Sequence, residues 1–128
     1  MEGASADNST SDGDETPPTV KIAGLSTCVL SHGCYFYVES NEDGATVGEG
    51  RVLVSGSPGQ LFRFRRVRRT VAAREEYELH FTLRRGARRA VARALRRGRR
   101  VTANVKVTVT DTAGNRSVRR RTLPIVLR

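Results

Sequence analysis

Apolar and polar side chains alternate singly over most of this chain, a period of two that marks half-buried strands. The longest run is Arg100 to Thr110, where Val101, Ala103, Val105, Val107 and Val109 fall on one side and Thr102, Asn104, Lys106, Thr108 and Thr110 on the other. Tyr77, Leu79, Phe81 and Leu83 alternate in the same way with Glu76, Glu78, His80 and Thr82. Shorter repeats at Val20 and Ile22, Phe36 and Val38, Val52 and Val54, Phe62 and Phe64, and Leu123, Ile125 and Leu127 raise the expected total to about seven strands. Turn-forming clusters separate them at Ser31-His32-Gly33, Asp43-Gly44, Ser57-Pro58-Gly59 and Ala113-Gly114-Asn115.

The period changes once. Between Leu83 and Val101 the apolar residues are Ala87, Ala90, Val91, Ala94 and Leu95, spaced three and four apart as on one face of a short helix. Gly98 is placed to end it in a left-handed conformation. Arginines cover the remaining surface, and those at the start, Arg88 and Arg89, oppose the helix dipole while Arg96 and Arg97 at the end favour it. Packing of the apolar stripe has to outweigh that early repulsion.

Sheets with one apolar face are stable when two such faces meet, so a β-sandwich with one crossover helix is expected. Its expected core comprises Ile22, Phe36, Val38, Val52, Val54, Phe62, Phe64, Leu79, Phe81, Leu83, Val91, Leu95, Val101, Val105, Val107 and Val109. A length of 128 residues suits a single domain. Residues 1–18 are Ser, Asp, Gly, Asn, Thr and Pro almost throughout and read as a disordered acidic linker, which leaves 19–128 for the domain. No apolar run is long enough to span a membrane, and the polar stretch after Met1 lacks the pattern of a signal peptide.

Two segments carry a family resemblance. Asp14-Glu-Thr-Pro-Pro-Thr-Val20 resembles the "D-x-T-P-P-x-V" opening of bacterial Ig-like repeats. The arginine-rich stretch from Leu83, followed by Val101-Thr-Ala-Asn-Val-Lys-Val-Thr-Val-Thr-Asp-Thr-Ala-Gly-Asn-Arg-Ser117, resembles the helix, long Val strand and "D-x-A-G-N-R-S" hairpin of Ig-like domains. Such domains lie at the C-terminal ends of secreted and surface proteins of high-GC bacteria. The resemblance covers residues 14 to 128 and implies an immunoglobulin-like antiparallel sandwich. It further implies a monomeric, extracellular, non-enzymatic spacer or adhesion module within a larger chain, its partner an unknown protein or cell-wall polymer. Cys28, Cys34 and the absence of a signal depart from that pattern.

Candidate chemistry is sparse. Asp111, Gly114 and Asn115 read as the hairpin turn between the last two strands, because Asp, Asn and Gly accept the conformations that reverse a strand quickly. A calcium site built on Asp111, Asn115 and a linker carboxylate is the sharper alternative, but the turn alone falls short of the six to eight oxygens that calcium takes. Asp12-Gly13-Asp14-Glu15 lacks the ligand spacing of a calcium loop. Cys28 and Cys34 flank a turn and are candidates for a disulfide across a short loop. With His32 they would supply three zinc ligands, one fewer than a structural site uses. His32 and His80 read as surface residues, and no motif for an enzyme, metal or cofactor site appears.

Charge adds a second functional possibility. Residues 1–18 hold Glu2, Asp7, Asp12, Asp14 and Glu15 and no cation, so all 23 basic residues lie in the remainder, and all but Lys21 and Lys106 are Arg. Arg63, Arg65, Arg66, Arg68 and Arg69, the helix residues Arg88, Arg89, Arg93, Arg96 and Arg97, and Arg119 to Arg121 are candidates for one polyanion-binding face. Nucleic acid, teichoic acid and acidic polysaccharide all fit such a face. Nucleic acid fits least, because Tyr35 and Tyr37 are the only adjacent aromatic rings for base stacking. Glu75, Glu76 and Glu78 are expected to balance arginines on neighbouring strands.

Overall fold

A computed structural model describes residues 16–24, 26–56 and 61–127. Within them the chain runs through β1 (Val20–Gly24), β2 (Cys28–Val29), β3 (Cys34–Ser40), β4 (Gly44–Val54), β5 (Leu61–Arg63), β6 (Val67–Val71), β7 (Glu76–Phe81), α1 (Arg85–Arg96), β8 (Val101–Asp111) and β9 (Arg116–Val126). The fold is all-β with one short helix. Most of the expected linker, and the Ser57-Pro58-Gly59 turn, lie outside the described residues. Pro18 belongs to the fold: it is buried, and its carbonyl accepts a hydrogen bond from Ser117 Oγ.

The strands form two sheets. The smaller has the order β1-β3-β7, and the larger β2-β9-β8-β4-β5 with β6 also on β4. All pairings are antiparallel except β2 with β9. Every second residue of β8, from Val101 to Asp111, is buried, as the alternation requires. Opposite it the small sheet contributes Phe36, Val38, Leu79 and Phe81 to the same core. The Phe81 ring meets Phe36 edge-on at 5.7 Å and Phe64 at 5.9 Å, the second contact crossing between the sheets. Of the expected core, Ile22, Phe62 and Leu95 are only partly buried and pack around its margin.

β4 is the strand that the alternation conceals. It runs eleven residues, but its inward positions include Gly44, Gly48 and Gly50 with buried Thr46. A side chain at Gly48 would place its Cβ 2.7 Å from the Phe81 ring, and one at Gly50 would lie 2.9 Å from Phe64. Gly48 admits the Phe81 ring of the facing layer and Gly50 the Phe64 ring of the chain after β5, so the apolar mass sits on the neighbouring elements. Thr46, the buried polar group among them, is hydrogen-bonded to the Tyr77 hydroxyl at 2.5 Å. Burial raises the pKa of that phenol, while Thr46 and Arg69 act in the opposite sense.

β9 is also longer than its apolar residues imply. Its first half reads Arg-Ser-Val-Arg-Arg-Arg, and there the inward side chains Ser117, Arg119 and Arg121 lie beside β1 instead of in the core. Arg121 donates to the Ile22 carbonyl at 3.3 Å. Among the described residues nine strands thus stand where about seven are expected, the additions being the short β2 and β6.

Helix α1 fills the link from the small sheet to the large one. Val91 and Ala94 are buried, with Ala87, Ala92 and Leu95 against the core. No acidic residue stands in its first turn and no side chain caps it, so burial of this face must hold the start of the helix against Arg85, Arg88 and Arg89. Its end is well satisfied: Gly98, at φ 79°, donates to Leu95 O at 3.0 Å, and Arg99 N–H to Ala94 O at 3.0 Å.

Val107 is fully buried and Thr108 lies on the opposite face of the same strand. Val107→Asp is expected to unfold the domain, because an unpaired buried carboxylate costs a large part of the roughly 5–15 kcal/mol that stabilises such a fold. Thr108→Asp should leave a cooperative melt. Circular dichroism melts of both variants check this, and an unchanged midpoint for Val107→Asp would mean that the strand's faces are reversed.

Candidate binding surface

The disulfide lies where the two sheets come together at one end. Cys28 sits on β2 of the large sheet and Cys34 opens β3 of the small one; their Cα atoms are 4.9 Å apart and the bridge is formed. Both residues are buried. The loop between them is tight, with Gly33 N–H donating to Val29 O at 2.9 Å and Gly33 at φ 85°. A side chain at Gly33 would meet the Phe81 carbonyl at 2.5 Å, so the loop can lie against β7 only without one.

That loop explains His80, which the polar face of its strand suggested to be a free surface group. His80 is half-buried, its ring stacked on Tyr35 at 4.0 Å. Its Nε2–H donates to the His32 carbonyl at 2.6 Å, which ties β7 to the disulfide loop. His32 itself is exposed, with Nδ1 3.2 Å from Ser31 Oγ. His80 thus anchors the loop through the His32 carbonyl.

Asp111, Gly114 and Asn115 build the β8–β9 hairpin. The Asp111 carboxylate accepts from Ala113 N–H at 3.0 Å, Asn115 N–H at 2.8 Å and Asn115 Nδ2 at 3.2 Å. Gly114 has φ 92°. Burial pushes the carboxyl up, but the hydrogen bonds from Asn115, Ala113 and Gly114 outweigh it and hold Asp111 below the ordinary carboxylate range. Its oxygens are spent on the turn, and among the described residues no three His, Cys, Asp or Glu side chains gather as a metal site. Asp12, Asp14 and Glu15 lie outside the described residues.

The arginines do not form one face. The strand period sends neighbours to opposite sides, so Arg68 stands on the outer face of the large sheet beside Val47 while Arg69 turns to β7 and donates to Glu78 O at 3.0 Å. Arg120 lies outward beside Lys106, whereas Arg119 and Arg121 point to the side of β1. Arg88, Arg89, Arg93, Arg96 and Arg97 are exposed on or just after the helix, near the disulfide end. The acidic residues also differ from expectation: across the small sheet Glu76 faces Glu39 and Glu78 faces Tyr37, so the neighbouring strand offers no arginine there.

What the structure does bring together is a groove of about 650 Å³ on the large sheet, bordered by Arg51, Arg63, Arg66, Lys106 and Arg120. Glu49 lies within it, 3.6 Å from both Arg66 Nη2 and Lys106 Nζ. Arg65 follows β5 and is exposed, its N–H donating to Thr82 O at 2.8 Å. Arg51 and Glu49 carry no signal in the sequence, because β4 alternates only at its end, in Val52 and Val54. Lys106 was legible as a polar-face residue of β8, but its neighbours depend on register.

Two consequences are measurable. Asp111 has a depressed pKa when folded, so its contribution is present above the unfolded carboxyl value and is lost as pH falls through the folded one. The stability deficit of Asp111→Asn, measured by urea melts, should therefore shrink between pH 7 and about pH 3; a constant deficit would contradict this role. Reducing the Cys28–Cys34 bridge releases a short loop and should cost about 2 kcal/mol. Identical urea midpoints before and after reduction would show that the bridge contributes nothing.

The chain matches no family model and no curated protein.

Proposed function

We propose that this domain is an immunoglobulin-like, non-catalytic module of a secreted or cell-surface protein, serving as a spacer or an adhesive binding domain. The strand order carries the reading. With β1, β3 and β7 taken as strands A, B and E, and β4, β8 and β9 as C, F and G, the two sheets follow A-B-E and G-F-C, and β5 and β6, each paired with β4, occupy the C′ edge. The parallel β2–β9 pair fits a first strand that divides between sheets. Helix α1 then lies in the E–F connection, where the Arg-rich segment of the resembled domains falls.

The cysteine bridge supports an oxidising setting, since disulfides persist chiefly outside the reducing cytosol. It differs from the B–F bridge of antibody domains by closing the first connection locally. A spacer or adhesive role needs a rigid frame with free outer faces, and here the side chains on the outer faces of both sheets are half-exposed or exposed.

Fractionation of the source cells, with thiols alkylated before lysis, tests the proposal. The chain is expected in the medium or on the surface, with both cysteines refractory until reduced. Recovery confined to the cytosol with both thiols alkylated would contradict it.

A further inference from the structure

We propose that the groove on the outer face of the large sheet binds an acidic polysaccharide, with arginines and Lys106 taking its anionic groups and the polar residues of the groove its hydroxyls. The inference rests on the reading of the domain as a binding module and names the partner of its exposed sheet face.

Register is the first support. Arg51 stands directly opposite Arg63 on β5, and Lys106 directly opposite Arg120 on β9. Like charges in directly opposed positions destabilise a sheet. The two pairs occupy adjacent rows, because Arg51 faces Asn104 and Glu49 faces Lys106 across β4 and β8. Four cations therefore step across four neighbouring strands at intervals of about 5 to 8 Å. Glu49 offsets part of this charge through Arg66 and Lys106, and an excess of cations remains. A bound polyanion would turn the remaining repulsion into attraction.

The shape is the second support. β5 pairs with Arg51–Leu53 and β6 with residues 44–48, so Glu49 and Gly50 of β4 lie between two separate partner strands. Chain 64–66 crosses that break, with Phe64 turned into the core and its N–H bonded to Gly50 O at 3.0 Å. The outcome is a depression in the sheet face. Its polar members are suited to hydroxyls: Glu49 as acceptor, and Asn104 and Thr122, joined by a hydrogen bond of 2.9 Å, as an adjustable pair.

The chemistry then discriminates among polyanions. Stacking of bases needs exposed rings, and the aromatic residue of this groove, Phe64, is buried. Tyr35 and Tyr37 belong to the small sheet's outer face, away from these cations. Arginine suits the carboxylates and sulfates of a glycan through paired N–H donors.

Calorimetry and amide NMR on the full chain at physiological salt provide the test, using heparin and polygalacturonate oligosaccharides and an oligothymidylate of matched charge. At least one glycan should bind more tightly than the oligothymidylate, with shifts centred on β4, β5, β8 and β9 around the groove. Arg51→Gln combined with Arg120→Gln should weaken it at least about tenfold while leaving the melting temperature equal or higher, since repulsion is relieved. Arg88→Gln combined with Arg93→Gln removes the same charge from the helix and should weaken it less than about twofold. Equal weakening by both pairs, tighter binding of the oligothymidylate, or binding of neither glycan would overturn the proposal. A chain found on the cell surface with its bridge intact but blind to both glycans would fail this inference alone, leaving the module reading in place.

Discussion

The structure depends on one close packing: the buried valine row of β8 and the glycine-lined face of β4 against Phe81, Leu79 and Phe36 of the small sheet. Val105, Val107 and Val109 can sit at the centre of the large sheet because Gly48 and Gly50 beside them leave the space that the Phe81 and Phe64 rings fill. A two-layer domain of this size has little apolar area to spare, so a methyl group in the wrong place would separate the layers there. The remaining elements secure the margins. Helix α1 covers the disulfide end, the Cys28–Cys34 bridge ties β2 to β3, and the Asp111 turn closes the far end.

This packing explains how much of the fold was legible in the sequence. Where the core residue lies on the strand itself, as in β8 or at Tyr77, Leu79 and Phe81, alternation located the strand and its buried face. Where a strand contributes room instead of mass, as β4 does, the pattern fell silent, because glycine and threonine at inward positions carry no apolar signal. The first half of β9 is hidden for a different reason: its inward arginines lie beyond the edge of the core, where Arg121 bonds to β1. The turn at Gly114 and the helix ended by Gly98 depend on local geometry and could be read directly, whereas the sequence offers the Cys28–Cys34 bridge only as a candidate, which the structure bears out.

The candidate site was less legible than the fold. Composition revealed an excess of arginine but not its placement, which turns on register and on strand parity. Arg68 and Arg69 are adjacent in sequence and serve opposite sides of the sheet edge; Arg51 and Arg63 are twelve residues apart and face each other. Long-range pairing thus created the groove from residues that no local motif connects. The same parity gives the small sheet's outer face a different character, with Glu39, Glu76 and Glu78 beside Tyr35 and Tyr37.

If the glycine-accommodated packing holds the layers together, the β3 and β7 amides should have no route to exchange that leaves β8 intact. Native-state hydrogen exchange across a denaturant series measures this directly. The inner amides of β3, β7 and β8 are expected to share one opening free energy, equal to that of global unfolding. Exchange of the β3 and β7 amides through a lower-energy opening, with β8 still protected, would show that the two sheets do not depend on each other and would contradict the central claim.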